Sequence, residues 1–274
     1  MSRLEAAARR TADLLGRDSW LVRHLRPRYE SLLDWTANGK GIPWEINGVT
    51  YKIDPRQRHR MGQNYDPPVA AFFRERIRPG SLCFDVGANV GVYVLQFAHW
   101  SQPDGEVVAF EPNPNACAIL DSHIRMNSLL ERVRVVTAAV GAASGEQTFF
   151  ASDADGMSRL GEPNEGLAGR FSELMVPVIT LDQYCASTGL RPDCLLIDIE
   201  GFEIAALDGA RGLIRELKGK LDIVVEMHPN VWNSANTTRD RAEALLADLS
   251  LRAIPLTSQT DPLGDYGIVH LAYY

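Results

Sequence analysis

From Asp66 onward, short apolar runs alternate with stretches whose apolar positions recur at helical spacing. Pro67–Arg78 predicts a helix, stopped by Pro79-Gly80. Ser81–Val86 follows as a continuous apolar run, the pattern of a parallel strand buried on both faces. Further strands are predicted over Glu106–Phe110, Val133–Val140, Cys194–Ile199 and Leu221–Glu226, separated by helices over Val90–His99, Asn115–Asn127 and Phe202–Leu217. A helix from about Thr238 to Leu249 and two strands, Arg252–Leu256 and Ile268–Tyr273, complete the pattern. Gln147–Ala151 and Val176–Thr180 read as strands around a Gly-rich polar insert, Ser152–Glu173. Such alternation predicts an α/β fold: a doubly wound, mostly parallel sheet with helices on both faces.

Residues 1–60 have a different pattern. Leu4, Ala7, Ala8, Leu14 and Leu15 fall on one helical face, which Leu21, Leu25, Leu32 and Leu33 could continue. Gly39-Lys40-Gly41-Ile42-Pro43 breaks the helix, and Trp44–Ile53 predicts a hairpin turning at Asn47-Gly48. The expected organisation is therefore a helical and hairpin cap over 1–60 and a single domain over 61–274.

The chain has 274 residues, 45% hydrophobic and 23% charged, enough for a large core without metal or disulfide support. Its net charge of −7 disfavours a nucleic-acid partner, and the arginines of Arg56–Arg60 and Arg74–Arg78 read as solvated faces. Cys83, Cys117, Cys185 and Cys194 show no metal or redox spacing, and no run is long enough to span a bilayer. A cytoplasmic protein that binds no membrane is expected. A homo-oligomer is compatible with this composition.

Ligands of such sheets bind beyond the carboxyl ends of the strands. The first strand ends in Asp85-Val86-Gly87-Ala88-Asn89-Val90-Gly91. Glycines at 87 and 91 allow a tight turn and close approach to a ligand, and the helix that follows offers free N–H groups. The second strand ends in Glu111, about 20 residues on, where a carboxylate can accept both ribose hydroxyls of an adenosine cofactor. Asn89 stands where a dinucleotide fingerprint has its second glycine, and Asp85 would repel a pyrophosphate but favour a cationic amino group. S-adenosylmethionine fits these residues better than NAD.

The fourth strand ends in Asp198-Ile199-Glu200-Gly201-Phe202-Glu203. Residues 198 and 200 of a strand share a side, so their carboxylates could converge to deprotonate a hydroxyl or to bind a divalent cation such as Mg²⁺. The plainer alternative for Glu200 is to cap the following helix. After the fifth strand, His228 has a side chain suited to general-base work, while Glu226 is as readily buried and paired as catalytic.

Together these segments resemble the FkbM family of methyltransferases. Beside Phe84–Gly91, Phe110-Glu111-Pro112-Asn113, Ile197–Glu203 and Val225–Pro229, the resemblance takes in Arg60–Pro67, Ala139-Val140-Gly141 and Gly156–Leu160. It implies a seven-stranded class I methyltransferase sheet whose last strand is antiparallel. It also implies adenosylmethionine over the Gly87–Gly91 loop, with Asn89 in that loop, Glu111 on the ribose and Asn113 beside it. Ala138 and Ala139 would flank the adenine, where family members often carry an acidic or amide residue.

The expected reaction is O-methylation of a small-molecule hydroxyl (on a secondary metabolite, polyketide or sugar), with Asp198, Glu200 or His228 as the base. Asp198 also counts among the cofactor-binding candidates, and Tyr65, Met157 and Ser158 among the pocket walls. The rivals are a nicotinamide-dependent oxidoreductase, disfavoured by the missing Tyr-x-x-x-Lys pair, and a non-catalytic binding module on the same fold.

Overall fold

A computed structural model of the chain describes residues 19–152, 159–160 and 171–274. The expected helix around Leu4–Leu15 and the segment with Met157 and Ser158 lie outside the described residues. The chain divides into two compact units, Met1–Gln63 and Asn64–Tyr274.

In the first unit, helix α1 (Trp20–Ala37) precedes a hairpin of β1 (Ile42–Ile46) and β2 (Val49–Ile53), paired Ile46 to Val49 across the Asn47-Gly48 turn. Both turn residues have positive φ, as a two-residue hairpin loop requires. The apolar stripe of α1 departs from expectation: Leu33 is buried, whereas Leu25 and Leu32 are exposed. Leu25 and Leu32 are two turns apart on one face, and Leu33 sits about 100° around the helix from them.

The second unit is built on a seven-stranded sheet. Its strands are β3 (Leu82–Val86), β4 (Glu106–Phe110), β5 (Val133–Val136), β10 (Cys194–Ile197), β11 (Asp222–Met227), β12 (Leu251–Pro255) and β13 (Gly267–Tyr273). Their order is β12-β13-β11-β10-β3-β4-β5, and only β13 runs antiparallel to its neighbours. A smaller sheet, β6-β9-β7-β8, consists of β6 (Ala139–Val140), β7 (Gly145–Ser152), β8 (Arg159–Leu160) and β9 (Phe171–Ile179). The helices are α2 (Pro67–Arg76), α3 (Val92–Trp100), α4 (Pro114–Met126), α5 (Leu181–Thr188), α6 (Glu203–Asp208), α7 (Arg211–Glu216) and α8 (Arg239–Asp248).

The apolar runs of β3, β4 and β10 are buried on both faces, as parallel strands between helical layers must be. Phe84 and Phe110 meet edge to face at 5.4 Å on one side of the sheet. Phe73, Phe97, Leu120 and Ile124 fill the other side. Register aligns Val86 with Phe110 and with Ile197, and Ile197 with Val225. Strands β3, β4 and β10 therefore end at one level, and β11 runs two residues further, to Met227.

Three predicted elements are broken in the structure. Val133–Val140 is not one strand: the Ala138 N–H folds back onto the Val136 carbonyl, and Ala139-Val140 leaves to pair with β9. Cys194–Ile199 ends at Ile197, because the chain then turns through residues of positive φ, Glu200 and Gly201. Phe202–Leu217 is two helices. The Gly209 carbonyl accepts from the Asp182 N–H, and the Asp182 carboxylate caps the restarted helix at Gly212 and Leu213, 2.8 and 2.7 Å away. Gly209 also lies against the Gly141 carbonyl, where no β-carbon would fit.

Candidate active site

The loop after β3 is shaped by backbone that side chains rarely adopt. Gly87 and Gly91 both have φ 93°, and Asn89 has φ 48°. The amides of Gly87 and Ala88 donate to the Phe110 carbonyl, tying the loop to the end of β4. Gly91 begins α3, with Leu120 against it. At Gly87 the close neighbour is the carbonyl of Asp198, so this glycine is required by the adjoining loop as well as by its own turn.

Glu111 is buried at the end of β4 and holds two segments together. Its Oε2 accepts the Asn89 N–H and its Oε1 the Asn113 N–H, each at 2.8 Å. Asn113 is the N-cap of α4, its side chain accepting from the Asn115 N–H at 3.0 Å. Asp85 is buried one strand away. Burial and the neighbouring Glu111 charge raise its pKa to about 7, against a backbone hydrogen bond from Val94. Ala138 and Ala139 follow β5, both buried, with Ala139 packed among Phe149, Val178 and Phe202.

A second group forms beyond β10 and β11. Asp198 and Glu200 stand in a loop and not in the strand: Asp198 donates its N–H to the Val86 carbonyl, and Glu200 has φ 47°. Asp198, Glu226 and His228 bring one side-chain atom each within 4.8 Å of one another. His228 is buried; its Nε2 lies 3.6 Å from Glu200 Oε2 and 3.9 Å from Glu226 Oε1. Its Nδ1 is 2.7 Å from Glu203 Oε1, and the Tyr266 hydroxyl donates to Glu226. Tyr65 and Asp66, ahead of α2, border the same group: the charge of Asp198 raises the Tyr65 pKa after burial, and that of Glu226 likewise raises Asp66.

The electrostatics separate the candidate bases. Burial alone would lower the His228 pKa, but the hydrogen bond and charge of Glu203, with Glu200 and Asp198, outweigh it and raise it to about 10. At neutral pH the ring is an imidazolium, which has no lone pair to take a proton or ligate a metal. Asp198 is pushed well above the usual carboxylate range by burial and then by Glu226, with His228 pulling the other way. The pairing of Asp198 with Glu200 as cation ligands is not what the geometry brings together; the third close group is Glu226.

The N-cap of the helix that follows is Phe202, with no side-chain capping bond, and Glu203 in its first turn accepts the Gly201 N–H at 2.6 Å. Glu203, Trp232 and Tyr266 were not singled out by sequence. Glu203 gave a faint signal, as an acidic residue in the first turn of a helix directly after the Asp198–Gly201 run. Tyr266 gave none, being 40 residues from its partner Glu226.

The family profile described as "Methyltransferase FkbM domain" matches residues 85–249. The chain is 44% identical over 78 residues to the 31-O-demethyl-FK506 methyltransferase FkbM of Streptomyces tacrolimicus, a match covering 27% of this chain and 28% of that one. Among solved structures, it is similar to the methyltransferase FkbM of Methylobacillus flagellatus, with TM-score 0.48 and 16% identity over 74% of this chain and 50% of that one. It is also similar to Aeropyrum pernix fibrillarin in complex with S-adenosyl-L-methionine, with TM-score 0.44 and 11% identity over 85% of this chain and 82% of that one. With the profile spanning more than half of its length, the chain belongs to the FkbM family of methyltransferases.

Proposed function

We propose that the protein uses S-adenosylmethionine to methylate a hydroxyl of a small molecule. The observation that carries this reading is Glu111, a buried carboxylate at the end of β4 whose two oxygens are fixed by the Asn89 and Asn113 amides of the adjoining loops. That chemistry fits the vicinal hydroxyls of a ribose. Asp85, an anion above about pH 7, fits an ammonium group and opposes a pyrophosphate. Gly87–Gly91, Asp85 and Glu111 would hold the cofactor, which when bound supplies a methyl group on a cationic sulfur that leaves as a neutral thioether.

One proton is released for each hydroxyl methylated, and the chain must take it up. Asp198, Glu200 and Glu226 supply carboxylates at the adjoining strand ends, under the charge of His228. The small sheet β6–β9 and the segment around it support a role in acceptor choice, since variable segments over a rigid scaffold usually set specificity. All four cysteines are unpaired and buried, which supports a reducing, cytoplasmic setting.

Calorimetric titration with adenosylmethionine, NAD and NADP tests the cofactor. Micromolar binding of adenosylmethionine, lost in Glu111→Ala, is expected. Binding of a nicotinamide cofactor alone would instead favour an oxidoreductase, and binding of none a non-catalytic module. A panel of neutral hydroxylated acceptors with labelled methyl donor then tests the acceptor class.

A further inference from the structure

Glu203 has no exposed surface, yet it lies directly behind the group that would meet an acceptor. Three donors surround it. Gly201 N–H and His228 Nδ1 reach Oε1 at 2.6 and 2.7 Å, and Trp232 Nε1–H reaches Oε2 at 3.0 Å. An amide and an indole can only donate, so Glu203 accepts from Gly201 and Trp232, and an ionised Glu203 accepts the Nδ1 proton of the imidazole as well. A buried carboxylate met by three donors is well satisfied, and losing one partner would be costly.

The frame around it is stiff. Trp232 is buried, and Gly201 has φ 101° and is pressed against Val231 with no room for a β-carbon. The orientation of the His228 ring follows from this frame, leaving Nε2 beside Glu200 and Glu226.

We propose that Glu203 is a positioning residue for proton transfer: it fixes the His228 ring with Nε2 beside Glu200 and Glu226, so that an acceptor hydroxyl gives its proton to Asp198. In this step the O–H bond breaks, the proton bonds to an Asp198 oxygen, and the electron pair stays on the acceptor oxygen to form the bond to the methyl carbon. His228 keeps its own protons. This inference rests on the methyltransferase reading for its step, but not for its arrangement of charges. The groups facing the ring are Glu200, Glu203, Glu226 and Asp198, with the Tyr266 ring 5.2 Å away. A ring so surrounded is a poor proton acceptor, whereas Asp198 is fixed at the strand end by its N–H on Val86 and brings a carboxylate oxygen within 4.8 Å of the ring and of Glu226.

The test is nuclear magnetic resonance of the full chain with ¹⁵N- and ¹³C-labelled histidine, the His228 signals assigned by their loss in His228→Asn. Both ring nitrogens of His228 should be protonated at pH 8. In Glu203→Gln the titration midpoint should fall by about 2 pH units or more, while the affinity for adenosylmethionine changes less than about threefold. A neutral His228 ring in the wild-type chain at pH 8 overturns the proposal, and this reading needs no variant to fold. An unmoved midpoint in folded Glu203→Gln overturns it too. Failure of the wild-type chain to bind adenosylmethionine would sink the methyltransferase reading, and with it the proton-transfer step, leaving the His228 spectra to judge the Glu203 frame by itself.

Discussion

Asp198 and Gly87 meet backbone against backbone: the Asp198 carbonyl occupies the space that a β-carbon on Gly87 would need. The adjoining Asp198 N–H donates to Val86 at 2.9 Å, so the loops after β3 and β10 are locked to each other. Gly87→Ala must therefore strain a φ of 93° and push the two loops apart. We expect a loss of about 2–4 kcal/mol in stability by denaturant unfolding. Adenosylmethionine binding should weaken at least tenfold. A variant of unchanged stability would show that the loops move independently.

Glu111→Ala leaves the Asn89 and Asn113 amides without their acceptor. The cost should be about 1–3 kcal/mol of stability, as for other buried donors left unmet, together with a loss of cofactor binding in calorimetry. Full affinity in the folded variant would remove Glu111 from the cofactor site.

His228 binds its proton more tightly in the folded chain than in the unfolded one, with its pKa raised from 6.5 to about 10. Its stabilising contribution is therefore fully present below about pH 6.5 and lost as pH rises through 6.5 to 10. The melting temperature should drop across that window, by an amount equivalent to a few kcal/mol at most. His228→Asn should flatten the profile. A wild-type melting temperature that is level from pH 7 to 10 would contradict the charge assigned to His228.

Asp85 works in the other direction. Its carboxyl, raised to about 7, holds a proton in the folded chain that it releases in the unfolded one, so its contribution fades as pH rises from 3.8 to about 7. Above that the fold carries a buried anion. Asp85→Asn should raise the melting temperature at pH 8, corresponding to about 1–4 kcal/mol, while weakening adenosylmethionine. In the wild-type chain the cofactor affinity should fall as pH drops below about 7, because a protonated Asp85 no longer attracts an ammonium group. Affinity that is level from pH 6 to 8 would argue against that contact.

Methyl transfer should survive a strong chelator. Among the described residues the group of potential ligand atoms is Asp198, Glu226 and His228, and the carboxylates around His228 raise its pKa and so favour the charged ring, which ligates no metal. Activity that is lost with chelator and restored by Mg²⁺ would reverse this assignment.

The sheet was legible because parallel strands buried on both faces are written as unbroken apolar runs, and Phe84, Val108 and Leu195 lie in such runs. The positions of Asp85, Glu111 and Asp198 were legible for a related reason: they are charged residues where those apolar runs end. The breaks were not. Gly209 looks like any helix residue until the Gly141 carbonyl and Asp182 arrive from elsewhere in the fold. The partner of His228 was not legible, because its intrinsic pKa is local, whereas Glu203 is 25 residues away.

Strand β13 comes last of the thirteen but is inserted between β11 and β12. Neither neighbour can complete its pairing until β13 is made, and Tyr266, just ahead of it, reaches Glu226 only then. During synthesis, β3, β4 and β5 are out of the ribosome long before β13. The half of the site built on Glu111 can thus form early, and the half around Glu226 closes as a last event. A chain stalled before Gly267 would have the strand end that carries Glu111, while β11 and β12 still lacked the strand that joins them.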